Sequence, residues 1–263
     1  MSSGFTGVIA HSSPNLNVFN KLLDSRPSSR HTAIERVQKM PPPKPSTKAA
    51  ETALKILDAA LDLFRTQGFD SATMREIAAS AGVATGAAYY YFASKDAIVM
   101  AFYQRSCLEM QPKIKEALAP ARTLESRLRA LIRVKLDYFS PNRAVLRALL
   151  RNGADPAHPL SPFSPQTKDI RDTDIEWFRV ILADCGTRIP RDLEPHLPRV
   201  LWFFQMGVIF FWVTDESPNQ ARTTRLLEVA AKSVAALVRL STLPFMRPVR
   251  KTALELIEIV TTA

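Results

Sequence analysis

The stretch that decides the fold is residues 73–95, TMREIAASAGVATGAAYYYFASK. Thr73 and Glu76 have the T-x-x-E spacing of a capping box, in which the hydroxyl accepts from an early helical N–H and the carboxylate reaches back. Gly82 follows the apolar positions of this helix and stands where a chain leaving a helix takes a positive φ. A second short helix follows. A helix, a glycine turn and a second short helix at this spacing are typical of a helix-turn-helix.

The second helix begins near Ala84 or Thr85, and in a helix-turn-helix this helix enters the major groove of DNA. We expect Val83, Ala88 and Phe92 to face inward. The edge facing bases would carry Thr85, Gly86, Ala87 and Tyr90, and Tyr89 and Tyr91 would face phosphates. The three tyrosines also fit a plain core, but successive helical residues cannot all point inward. Because this edge carries no Asn, Gln or Arg, few hydrogen bonds to base edges are expected. Sequence preference would then depend on Arg75 and on DNA shape.

Residues 51–106 resemble the N-terminal DNA-binding domain of the TetR (AcrR) family of bacterial transcriptional regulators. The residues that match the family pattern are Phe64, Gly68, Thr73, Ile77, Ala78, Ala81, Gly82, Val83, Gly86, Tyr89, Tyr91, Phe92, Ser94 and Lys95. Ala84 departs from the serine that usually caps the second helix, and a missing cap can cost about 1 kcal/mol. Ser94 is predicted to cap the fourth helix.

Glycine is scarce outside this stretch and no alternating strand pattern appears, so we predict an all-α protein. The resemblance implies a three-helix helix-turn-helix domain at 46–93 and a helical effector-binding and dimerisation bundle at 94–263. Within the bundle, helices at 195–214 and 218–241 would build a four-helix interface between two subunits. Pro112 predicts a kink or a break in the fourth helix.

The resemblance also implies a function: a cytoplasmic repressor that binds a near-palindromic DNA operator as a homodimer and is released by a small-molecule effector. Arg75 lies where family members can carry an arginine that reaches DNA; alternatively, it is solvated and pairs with Glu76 or Asp70. Lys95, at a helix N-terminus, is predicted to contact phosphate, against the alternative of a solvated lysine. Thr73 completes the predicted DNA contacts.

Charge is distributed unevenly along the chain. The formal net charge is +10, yet residues 46–106 carry six basic and six acidic side chains. The predicted DNA-binding domain is therefore not itself strongly basic. Residues 1–45 are rich in Ser and Pro and are predicted to be a disordered basic extension, which is either an arm that touches DNA or dispensable, with Met40 as an alternative start.

The second domain offers candidate effector contacts. Residues 200–213, VLWFFQMGVIFFWV, are too few to span a bilayer, which takes about 20, so they are predicted to be buried all round. One face would line a cavity and another would meet a second subunit. The predicted effector contacts are Trp177, Phe178, Trp202, Met206 and Phe210, although each also fits ordinary core. They favour an apolar or aromatic effector.

A basic stripe formed by Arg143, Arg147 and Arg151 has three interpretations: a DNA contact from the side, an anionic-effector site, or a solvated face. Asp155 and His158 are too sparse for a metal site, which needs three or four ligands. Cys107 and Cys185 are predicted to be free buried thiols.

The sequence contains no P-loop, no dinucleotide glycine signature and no recognisable Ser-His-Asp grouping, so neither an enzyme nor a cofactor is expected. An alternative function is an all-α small-molecule or protein-binding module that does not act on DNA. The neutral charge of residues 46–106 is its best support. Tyr89→Phe and Lys95→Ala discriminate, because both should weaken DNA binding without unfolding a DNA-binding protein and neither should matter for the alternative.

Overall fold

The computed structural model describes residues 47–153 and 155–261, so the predictions for residues 1–45 lie outside the described residues. The described chain is helical and has no strand, which confirms the all-α prediction. The helices are α1 (Thr47–Thr66), α2 (Met74–Ser80), α3 (Thr85–Tyr91), α4 (Lys95–Leu118), α5 (Leu124–Phe139), α6 (Arg143–Gly153), α7 (Lys168–Ala183), α8 (Leu197–Thr214), α9 (Ala221–Leu240) and α10 (Arg247–Thr261). Short 3-10 turns precede α6, α7, α9 and α10.

The chain divides into two compact units after Phe102, inside α4. The first unit packs α1, α2, α3 and the start of α4 around a small core. Ile56, Leu57 and Phe64 of α1 are fully buried, as the spacing of apolar residues in α1 predicts. Phe69, in the loop before α2, packs edge-on against Phe64 with ring centroids 5.1 Å apart. This core fixes where α2 and α3 can lie.

The second unit is built on the packing of α5, α7, α8 and α9. Leu128 and Leu131 of α5 and Phe178 of α7 are buried in its main core, and Ala231 and Ala235 of α9 contribute small side chains to it. Upstream of these helices, α4 stays helical through Pro112. Of the two predicted effects of this proline, a break is therefore excluded.

Helix α8 is the most apolar element of the described chain. Its 18 residues have a mean hydropathy of 1.4, which satisfies the length and composition of a membrane span, and 44% of them are buried. A buried core helix passes the same test, so this is weak evidence for a membrane. Within a single chain the helix is not buried all round, because Gly207 and Phe210 are exposed; burial of that face by a second subunit stays a prediction. One face of α8 is uncovered in a single chain.

The basic stripe on α6 has a structural role that none of the three interpretations foresaw. Arg143 Nε donates to the carbonyl of Trp212 at 2.9 Å, and Arg143 Nη2 donates to the carbonyl of Asp215. Arg147 Nε donates to the carbonyl of Val213 at 2.7 Å. These carbonyls lie at the C-terminus of α8, where helical acceptors lack partners and cations are favoured. The Arg151 side chain lies outside the described residues.

Candidate functional site

The predicted capping box is present at the start of α2. Glu76 N donates to Thr73 Oγ1 at 3.2 Å, and the Glu76 carboxylate accepts from Thr73 N at 2.9 Å and from Thr73 Oγ1 at 2.8 Å. The Thr73 hydroxyl is exposed but already used in the cap. After α2, Gly82 takes φ +68°, as predicted for the residue that ends this helix. The turn between α2 and α3 is therefore set by local interactions.

Helix α3 begins without a side-chain cap at Ala84. The amides of Ala87 and Ala88 bond to the Ala84 carbonyl at 2.9 and 3.1 Å, so backbone alone starts the helix. Ala88 and Phe92 are buried, as expected, and Val83 is half-buried. These residues anchor one side of α3 and leave the other side facing outward.

The outward edge of α3 has the predicted composition. Thr85 and Gly86 are exposed, and a Cβ added at Gly86 would meet nothing within 4 Å. Tyr89 is 52% exposed and Tyr90 66% exposed, so the core interpretation is wrong for both. Ala87 and Tyr91 are half-buried, and the Tyr91 ring meets Tyr90 edge-on at 5.3 Å. The first unit thus presents a narrow edge of small residues ending in tyrosines.

Arg75 lies exposed on α2. Within the described residues, no hydrogen bond or ion pair joins its guanidinium to Asp70 or Glu76. Hydrogen bonds from Thr73 lower the pKa of Glu76, and attraction to Arg75 adds only a minor further lowering. The guanidinium of Arg75 is therefore available to an external anion.

Lys95 makes contacts within the chain that neither of its two interpretations included. Its Nζ donates to the carbonyls of Phe69 at 2.6 Å and Asp70 at 3.1 Å, and it lies 4.8 Å from the centroid of the Phe69 ring. The Lys95 ammonium is thus only partly solvated and already has hydrogen-bond partners within the chain. In this structure it ties the start of α4 to the loop before α2, and a contact with phosphate stays a prediction.

The second unit contains a half-open cavity of about 140 Å³. Helix α8 contributes residues at helical spacing, Trp202, Gln205, Met206 and Ile209, and α7 contributes Ile170, Arg171 and Asp174. Its other lining residues are Tyr103, Cys107, Met110, Lys135, Phe139, Leu146, Leu150, Leu160, Pro162 and Thr167. Two predicted effector residues, Trp202 and Met206, therefore do line a cavity.

The other three predicted effector residues lie outside this lining. Phe178 is fully buried in the core beside it, and Trp177 is half-buried against the same core. Phe210 follows Ile209 on α8, and one helical step of about 100° turns it away from the cavity, leaving it 37% exposed. Apolar character alone does not reveal which face of a helix meets a cavity.

The polar part of the cavity was not identified from the sequence. Lys135 of α5 donates to the Asp174 carboxylate and to Gln205 Oε1 at 2.6 Å, and Gln205 Nε2 donates to Asp174 Oδ2 at 2.6 Å. Lys135 and Gln205 are buried. One signal was present in the sequence, because Gln205 is the single side chain with hydrogen-bonding amide groups in the apolar run 200–213. A buried amide needs partners.

No group of three or more His, Cys, Asp or Glu side chains in the described chain could hold a metal ion. Asp155 Oδ1 and His158 Nδ1 instead accept from the backbone amides of Ala157 and Leu160. Cys107 and Cys185 are free, as predicted, but only Cys185 is buried. Burial, followed by the charge of Asp174, raises the pKa of the Cys107 thiol to about 11.

Comparison with known proteins finds matching family models in both units. Residues 56–102 match the family model "Bacterial regulatory proteins, tetR family", and residues 127–254 match "Tetracyclin repressor-like, C-terminal domain". The HTH-type transcriptional regulator SrpR of Pseudomonas putida is 43% identical over 198 residues, which cover 74% of this chain and 89% of SrpR.

Further relatives agree over shorter stretches or at lower identity. The HTH-type transcriptional regulator BetI of Rhizobium meliloti (strain 1021) is 36% identical over 88 residues, 33% of this chain and 43% of BetI, so the match spans under half of that relative. A TetR transcriptional regulator from Nitrosomonas europaea superposes with a TM-score of 0.55 at 20% identity, covering 71% of this chain and 99% of its own. That structure shows the shared fold. With the helix-turn-helix geometry and the match to SrpR, these findings establish that the chain belongs to the TetR family and is a DNA-binding transcriptional regulator.

Proposed function

We propose that this regulator is a repressor that binds a near-palindromic operator as a homodimer and is released when a small molecule occupies the cavity of the second unit. The observation that carries the DNA-binding part is the outward edge of α3. Its small residues allow close approach to base edges, and its exposed tyrosines can donate to phosphates. As a repressor it acts on the chromosome in the cytoplasm, and it is not an enzyme.

The proposed contacts divide by chemistry. Thr85, Gly86, Ala87 and Tyr90 meet bases, and Tyr89 and Tyr91 meet phosphates. Arg75 adds the exposed charge of α2, and Thr73 at the N-cap of α2 and Lys95 at the start of α4 complete the proposed DNA contacts. Because Arg75 has no ion pair among the described residues, its charge is free to attract the DNA backbone. We expect affinity to fall steeply with salt, since each phosphate contact releases counterions.

The homodimer is supported by apolar surface on α8 and α9. Phe210 of α8 is exposed, and so are Val229, Leu237 and Leu240 of α9, with Leu237 at 61%. Their exposure on two successive helices is the pattern of a face that a second subunit covers. Leu237→Glu should give a monomer in light scattering after size exclusion, whereas Val180→Glu, at an exposed valine of α7, should not. A dimeric Leu237→Glu would place the interface elsewhere.

The effector response rests on the cavity. A ligand there releases DNA only if it binds the DNA-free state better than the DNA-bound state. Trp202 and Met206, with the other apolar lining residues, suit an apolar or aromatic molecule.

The experiment is fluorescence anisotropy with duplexes from the region upstream of the protein's own gene, titrated at several salt concentrations. Tyr89→Phe removes one hydroxyl and should weaken binding by about fivefold per half-site, the equivalent of one hydrogen bond. Its melting temperature should stay unchanged, because the ring is exposed. Tyr138→Phe is the matched control: its hydroxyl donates to Glu109 in the second unit, and DNA affinity should not change. Equal binding to every duplex, or an unaffected Tyr89→Phe, would refute the proposed contacts.

A further inference from the structure

Asp174 is the most exposed member of the polar network in the cavity. Lys135 is used by two acceptors and also lies 5.5 Å from the centroid of the Phe178 ring. The Asp174 carboxylate accepts one bond at each oxygen, although each oxygen can accept more. The Asp174 side chain is 21% exposed and that of Lys135 only 3% exposed. The cavity therefore meets this network chiefly as a set of carboxylate acceptors.

The charges around the network disfavour an anionic ligand near Asp174. The ammonium of Lys135 is already neutralised by Asp174, so an anion would gain little there and would face a carboxylate. The pKa of the Cys107 thiol, elsewhere on the cavity wall, reflects these charges. Burial raises this pKa most, the negative charge of Asp174 raises it further, and the smaller effect of Lys135 lowers it. Arg171 also lines the cavity, but its Nη1 donates to the carbonyls of Pro162 at 2.8 Å and Ser164 at 3.1 Å.

Size sets the second constraint. The cavity volume is about 140 Å³, and an apolar protein cavity of about 150 Å³ is known to hold one benzene ring. We propose that the effector is an uncharged, single-ring molecule with one hydroxyl group, whose ring fills the apolar part of the cavity and whose hydroxyl donates to the Asp174 carboxylate. This inference rests on the proposed ligand response of the second unit.

Such a ligand would act where helices join. Asp174 of α7 is bonded to Lys135 of α5 and to Gln205 of α8. A hydroxyl that donates to Asp174 enters this junction directly. A ligand with a ring alone would fill the cavity without a hydrogen bond to this junction.

The test measures binding of phenol, toluene and benzoate to the full chain by isothermal titration calorimetry. Toluene has a methyl group where phenol has the hydroxyl, so the ratio of the two affinities within one variant isolates the polar contact from ring burial. Asp174→Asn replaces a charged acceptor by a neutral one. It should lower the phenol-to-toluene affinity ratio by about five- to tenfold while leaving toluene affinity unchanged.

The matched control is Asp169→Asn, which makes the same change on the same helix at an exposed residue outside the cavity, and should leave the ratio unchanged. If Asp174→Asn fails to fold because Lys135 is left buried without its counter-charge, the pair is removed together as Lys135→Met with Asp174→Asn and the ratio measured there. The loss of phenol preference should persist in this double variant.

Three results would overturn the inference: no binding of any probe to the wild type at millimolar concentration, an unchanged ratio in both Asp174 variants, or tighter binding of benzoate than of phenol, which would point to Arg171 as an anion partner. Operator affinity, measured in parallel, judges the proposed function separately. Phenol that binds through Asp174 without changing operator affinity would support the ligand chemistry and refute the ligand response.

Discussion

Replacing Arg143 with methionine should destabilise the second unit strongly. The change removes the Nε bond to the Trp212 carbonyl at 2.9 Å and the Nη2 bond to the Asp215 carbonyl. It also removes the guanidinium that lies 5.8 Å from the centroid of the Trp212 ring. A hydrogen bond to a charged group contributes about 1.5–3 kcal/mol, and a cation at a helix C-terminus about 0.3–1 kcal/mol. Because the site is only partly buried, we expect a loss of about 2–4 kcal/mol in the free energy of unfolding.

The assay is urea unfolding followed by tryptophan fluorescence. All three tryptophans, Trp177, Trp202 and Trp212, lie in the second unit, so their fluorescence reports its unfolding and not that of the first unit. With a denaturant slope of about 2 kcal/mol/M, the midpoint should fall by about 1–2 M. Arg147→Met is the graded control. It loses one bond to Val213 and a pair with the exposed Glu216, so we expect a loss of about 1 kcal/mol.

The result that would refute this reasoning is an Arg143→Met protein with wild-type stability and a reduced salt dependence of DNA binding. That outcome would mean that the basic stripe of α6 meets DNA instead of the end of α8. Reduced stability with an unchanged salt dependence would support the assignment made from the hydrogen bonds.

Three further changes test other parts of the structure. Gly82→Ala should destabilise the first unit by about 1–2 kcal/mol in circular dichroism melts, because a Cβ there meets nothing within 4 Å and the cost comes only from the positive φ; an unchanged or higher melting temperature would contradict this. Burial of Asp215 opposes its ionisation, but hydrogen bonds from Thr223 and Ser217 outweigh burial and hold its pKa well below the usual range. This stabilisation is therefore complete above the unfolded pKa of about 3.9 and is lost as the pH falls below it, so Asp215→Asn should flatten the acid side of the stability profile, and a parallel profile would count against the assignment. Alkylation of Cys107, measured in Cys185→Ala, should keep accelerating up to about pH 11, since the raised pKa keeps the thiol protonated at lower pH; a plateau near pH 9 would show an unperturbed thiol.

The helix-turn-helix was predictable because its determinants act over a few residues. Thr73 and Glu76 close the capping box across one helical turn, Gly82 takes the positive φ that the turn requires, and Ser94 accepts from Ala97 N at the start of α4. Periodicity gave the inward side of α3. The exposed tyrosines followed, because adjacent helical residues point in different directions.

The cavity was only partly predictable. Periodicity shows that α8 has apolar residues on every side, yet it does not show which side meets α7, which meets α9 and which is uncovered. Trp202 and Met206 face the cavity, while Phe210, with the same apolar character, does not. Burial is a property of the neighbours as well as of the residue.

The sequence alone determined the family, the helical class and the reading edge of α3, because each depends on residue types at short, fixed spacings. Only the tertiary structure decided the partners of the charged residues. Lys135 is 39 residues from Asp174 and 70 from Gln205, and Lys95 is 26 from Phe69. Across such separations, a charged side chain bonds to the acceptor that the packing of the helices brings within reach. The local sequence pattern does not indicate which acceptor that is.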